Sequence, residues 1–168
     1  MDTDGLRNVA MRLGAITLLL ATALLGCSVA PSRGVEYRVA AGENPGSLMA
    51  ALDKAEAQWA AAEITSYSYR IRRGGVFGGT VYDTVFLPDS CRAKRLKDVG
   101  LPSSLDCDKN TMPELFATIR AELATGASDV SVSLDAKLGY VNSFWVEPNT
   151  DLTDQGWGAE ISHLRILK

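Results

Sequence analysis

The spacing of hydrophobic positions changes character several times along the chain. From Leu13 to Leu25 apolar residues run almost unbroken, with Thr17 and Thr22 the only polar interruptions. Beyond Asn44-Pro45, the residues Leu48, Leu52, Ala55, Trp59 and Ala62 recur at helical spacing and predict an amphipathic helix. Asn suits its cap and Pro its first turn. The period then drops to two. Tyr67, Tyr69 and Ile71 alternate with Ser68, Arg70 and Arg72, the pattern of a half-buried strand. A second strand is expected over residues 80–87, after a turn rich in Gly74, Gly75, Gly78 and Gly79, and a third, weaker one from Cys91 to Leu96. Thr111-Met112-Pro113-Glu114 has the spacing of a capping box and opens a second helix. Met112, Leu115, Phe116, Ile119 and Leu123 share its apolar side, and Gly126 is placed to end it. Val130, Val132 and Leu134 then alternate toward a turn at 135–139 and a return strand, and a last strand is expected from about Ala159 to Leu167. This order, helix, strands, helix, strands, predicts an α+β domain: an antiparallel sheet with both helices packed on one face.

The apolar run at 13–25 needs a separate account. It is shorter than the ~20 residues that span a bilayer, and it lacks the polar side of a core helix. Arg12 before it and Gly26 after it complete the layout of an export signal. Leu24-Leu25-Gly26-Cys27 resembles the lipobox of bacterial lipoproteins, in which the cysteine becomes the lipidated first residue. Residues 1–26 are therefore expected to be a lipoprotein signal peptide, with palmitate-type acylation of Cys27; the acidic Asp2 and Asp4 leave Met11 as an alternative start to Met1. Several acyl chains together hold a protein firmly to a membrane. The expected location is the cell envelope, and Ser28 in place of Asp favours the outer membrane where there are two. Residues 27–43, with Pro, Gly, Ser and scattered charge, read as a flexible tether. Removing 1–26 leaves 142 of the 168 residues, and 44–168 reads as a single domain.

Composition and charge narrow the chemistry. A formal net charge of −3, from 17 basic and 20 acidic residues, does not suit a nucleic-acid binder. With Cys27 taken by lipid, Cys91 and Cys107 remain as a pair in an oxidising compartment, and a disulfide between them is expected. His163 is the only histidine. It adjoins Ser162 in a predicted strand, where successive side chains point to opposite faces, so no Ser/His/Asp site is expected. One histidine and two bonded cysteines do not supply a zinc site. Asp106, Asp108 and Asn110 are spaced like the start of a calcium loop, but Thr111 stands where its glycine belongs. No catalytic residue, metal or cofactor is expected. Arg70, Arg72, Arg92 and Lys94 would form a basic patch if their strands are neighbours, suited to an envelope protein or an anionic polymer. Trp145 alternates with Phe144, so one of the two faces away from the core and becomes a further candidate contact.

From about Leu52 to the C-terminus the chain resembles a family of bacterial exported proteins, the domain-of-unknown-function 6174 family. The likeness is carried by "EAQWAAAEITSYSYRI", "TMPELFATIRAEL", the hairpin "SLDAKLGYVNSFWVE" and an acidic linker before the final strand. Leu134 and Val141 stand where that family usually has tyrosine and proline. The resemblance implies an envelope lipoprotein or secreted domain with no established activity. A non-catalytic binding or accessory lipoprotein is the leading expectation. An inhibitor acting through the loop closed by Cys91 and Cys107 is second, and a hydrolase last.

Overall fold

Tyr67, Tyr69 and Ile71 do turn to one side of a strand, and the buried hydrophobic core gathers on that side. The computed structural model describes residues 27–28, 34–100, 104–148 and 155–168. The proposed signal peptide, 1–26, lies outside them. The described strands and α-helices, in chain order, are β1 (Cys27–Ser28), β2 (Gly34–Ala40), α1 (Gly46–Ala61), β3 (Tyr67–Gly75), β4 (Gly78–Leu87), β5 (Ser90–Gly100), α2 (Met112–Ala124), β6 (Asp129–Asp135), β7 (Val141–Glu147) and β8 (Trp157–Ile166), with one 3-10 turn, Asp108–Asn110, before α2. All strands join one sheet in the order β2-β6-β7-β8-β3-β4-β5, with β1 added to β8. Every pairing is antiparallel.

The α+β class stands, but the helix-first order does not: strands precede α1. Gly34–Ala40, read as part of a tether, is an edge strand paired with β6 along all seven residues. Its Val35, Tyr37 and Val39 alternate with Glu36 and Arg38, so the period of two was present in a stretch whose charge and flanking glycines suggested a linker. Val39 is buried, and Arg38 makes a two-nitrogen contact with the carboxylate of Asp129 at 2.6–2.8 Å.

The helices follow their apolar stripes. Leu48, Leu52, Ala55 and Trp59 of α1, with Met112, Leu115, Phe116 and Ile119 of α2, are buried in one cluster with the inward residues of the sheet. Asn44 accepts the Gly46 N–H at 2.8 Å at the start of α1, and the Thr111 hydroxyl accepts the Glu114 N–H at 3.4 Å in α2. At the β6–β7 turn, buried Asp135 accepts the N–H groups of Lys137 and Leu138 at 2.9 and 2.6 Å. Gly139 has φ +74° there, and a Cβ on it would strike the Ala55 carbonyl, so the turn sits directly on α1. A side chain at that position would meet both strain and backbone.

The Cys91–Cys107 disulfide forms, with Cα atoms 6.1 Å apart. Most of the segment that it closes is β5 rather than a free loop, so the bridge ties an edge strand to the turn before α2. Closing about 15 residues stabilises by roughly 3 kcal/mol in the chain-entropy model. Replacing both cysteines by alanine is expected to lower the unfolding free energy in urea by about that amount. An unchanged midpoint would mean that sheet pairing alone holds β5.

Candidate functional site

With both helices on one side, the other side of the sheet carries mainly polar residues and glycines, with a few apolar side chains among them. Its content follows from the register. One row across the strands runs Glu36, Ser133, Ser143, Glu160, Arg72, Val81, Lys97. The next runs Arg38, Ser131, Trp145, Gly158, Gly74, Gly79, Val99. Of the three glycines side by side in this row, Gly74 and Gly158 line a channel bounded by Trp145 at one end and by Arg72 and Glu160 along its flank. A groove of about 370 Å³ lies there, lined also by Ser131 and Ser143.

Trp145 is held in place. Its Nε1–H donates to Glu147 Oε1 at 2.6 Å, and Gly156 packs so closely that a Cβ on it would lie 2.5 Å from the Trp145 ring. The indole is therefore a fixed, half-buried plate rather than a mobile side chain. Fixing an aromatic before binding reduces the ordering cost of a contact. Phe144 points the other way, buried against Trp157 in an edge-to-face contact at 5.3 Å.

The basic residues are placed differently from a continuous patch. Arg70, Arg72, Arg92 and Lys94 do share the open face, but β4 runs between β3 and β5 and brings Asp83 into the middle. Arg70 is bound to Asp83 at 2.8 Å, and Arg72 lies 3.8 Å from Glu160. Arg92, Lys94 and Lys97 make no ion pair among the described residues and leave the β5 edge cationic. Charge of this kind guards a sheet edge against pairing with other strands. Arg73 turns inward instead. Its guanidinium stands 5.4 Å over the Trp157 ring and donates to Asn110 Oδ1 at 2.5 Å, and burial pulls its pKa below the usual arginine value.

Asn110, read as part of an oxygen-rich loop, is wholly buried. Its amide donates to the Asp106 carbonyl at 2.5 Å, and its own carbonyl accepts from the Tyr69 hydroxyl. Tyr67 accepts the Met112 N–H at 2.9 Å. The residues before α2 are thus fastened to β3. Burial raises the pKa of the Tyr69 hydroxyl well above the ordinary tyrosine value.

His163 departs from strand geometry, with φ +57°. That turn defeats the alternation rule, and its Nδ1 comes within 3.1 Å of the Ser162 hydroxyl. Among the described residues no carboxylate hydrogen-bonds the ring, which a serine nucleophile's base needs for orientation. No group of three or more His, Cys, Asp or Glu is placed to hold a metal ion among those residues. Sequence reasoning missed Ser131, Ser143, Glu160 and the glycine row because each is unremarkable within its own strand.

Fold and groove together define an open-faced α+β domain: an antiparallel sheet, helices on one side, and a polar, aromatic-walled channel on the other. Residues 51–166 match the model of a family described as "Family of unknown function (DUF6174)", and the chain belongs to that family. No curated protein and no solved structure matches it.

Proposed function

We propose that this chain is a membrane-anchored lipoprotein of the bacterial cell envelope whose domain acts by non-catalytic binding through the open face of its sheet. The anchor reading rests on Leu24-Leu25-Gly26-Cys27 after an apolar run. The binding reading rests on one observation, the fixed Trp145 beside a glycine row flanked by Arg72 and Glu160. A channel without side chains lets an extended chain approach the backbone closely. The indole supplies apolar area, and the hydroxyls of Ser131 and Ser143 supply hydrogen bonds. Such a site fits a segment of an envelope protein or polymer better than a small globule. Arg92 and Lys94 on the β5 edge add attraction for an anionic partner, screened over about 8 Å at physiological ionic strength.

A photoreactive residue at Ser143, introduced into the full chain in its native membranes, tests this. A discrete adduct is expected from that position and not from Lys54, which is exposed on α1. Trp145→Ala should reduce the adduct about tenfold, the equivalent of about 1.4 kcal/mol. Equal labelling from both positions would remove the open face from consideration. Retained labelling in Trp145→Ala would move the contact to the cationic edge.

A further inference from the structure

The register also places Cys27. Its backbone pairs with Ile166 of β8, Ile166 with Tyr67 of β3, Tyr67 with Phe86 of β4, and Phe86 with Cys91 of β5. These five residues form one row across the same end of the sheet. Strands lie about 4.8 Å apart, so Cys27 is roughly 14 Å from Phe86 along that row. The turn from Leu87 to Ser90 closes the β4–β5 hairpin just beyond it. From the same row β3 runs eight residues away to Gly75, about 26 Å at ~3.3 Å per residue. The tip beyond it carries Val76 and Phe77, which are 48% and 64% exposed.

We infer that the Cys27 end of the sheet faces the lipid bilayer, with the Leu87-Pro88 turn against the headgroups and the Val76-Phe77 tip held away from them. This rests on the lipoprotein reading, in which Cys27 carries the acyl chains. Because Cys27 itself is paired with β8, the lipid is attached directly to the folded sheet and no free tether lies between them. The partner is the bilayer that receives those chains. Leu87 is 43% exposed at this end, and a recess of about 640 Å³ lined in part by Ile64, Leu87 and Pro88 opens there as well. One consequence is directional. The Trp145–Gly158–Gly74 row of the open-face groove lies toward the Gly75–Gly78 end, since Gly74 is its β3 member.

The test uses the full chain, processed and purified from membranes, then reconstituted in vesicles of phosphatidylethanolamine and phosphatidylglycerol. A photoreactive residue is placed at Leu87 or at Phe77, and lipid adducts are counted by mass spectrometry. At least tenfold more lipid adduct is expected from Leu87. A second variant, with ten Gly/Ser residues inserted directly after Cys27, keeps the acylated cysteine but frees the sheet, and the contrast should fall to within about twofold. Equal or reversed labelling in a chain whose intact mass includes the acyl chains overturns the orientation and leaves the lipoprotein reading standing. A contrast that survives the insertion overturns it too, because β1 pairing would not be its cause. A mature chain without acyl mass overturns both.

Discussion

Cys27→Ser is expected to move the protein almost entirely from the membrane pellet to the soluble fraction, or to leave it as an uncleaved precursor heavier by the leader. In the proposed lipoprotein the physical reason is the size of the anchor relative to everything else that would touch the membrane. Each buried methylene contributes about 0.8 kcal/mol, so one chain holds marginally and several hold firmly, whereas exposed side chains at one sheet end contribute little. Among the described residues no helix is long and apolar enough to cross a membrane. β1 is only two residues long, and the loss of the lipid should leave the unfolding midpoint of the domain unchanged. Fractionation with intact-mass measurement decides the matter. An unmodified mature N-terminus at another residue would overturn the lipoprotein reading.

The largest loss of stability is expected from Asn110→Ala. Asn110 has no exposed surface, and its side chain joins the Asp106 carbonyl to the guanidinium of Arg73 while its backbone carbonyl takes the Tyr69 hydroxyl. Hydrogen bonds to charged groups are worth about 1.5–3 kcal/mol, and a buried donor that loses its acceptor adds a desolvation cost. Together these predict a loss of about 3 kcal/mol, or roughly 10 °C in thermal midpoint for a domain of this size. Arg73 lies half-buried over Trp157, so it cannot simply swing into water without giving up that ring contact. Arg73→Met combined with Asn110→Ala should therefore cost less than the sum of the single changes, by about 1 kcal/mol or more. Strict additivity in thermal or urea unfolding would mean that the two residues act independently.

Legibility varied with the kind of signal. β3, β4 and β6 were plain because each buries alternate residues on one face, and α2 because its cap, stripe and terminal glycine agree. β2 was hidden although Val35, Tyr37 and Val39 alternate. It lies at a sheet edge, where only Val39 is buried, and charged residues between them resemble a solvated linker. Arg73 and Asn110 are hard to read for the opposite reason. A polar residue in an arginine run or an acidic loop suggests solvent, and only the fold shows that these two satisfy each other in the interior.

Local pattern by itself determined the class of domain, the inward faces of most strands and helices, the cysteine pair and the expectation of an anchor, because each depends on residues close in the chain or on composition. Pairing between distant strands decided the rest. β8, the last element, inserts between β7 and β3, and that single placement sets Gly158 between Trp145 and Gly74 to make the groove. β4, lying between β3 and β5, puts Asp83 among the basic residues and divides the patch. Strand order is a property of the whole sheet: it depends on which edges find complementary register and cover, and period-two alternation within a strand carries no information about its neighbour.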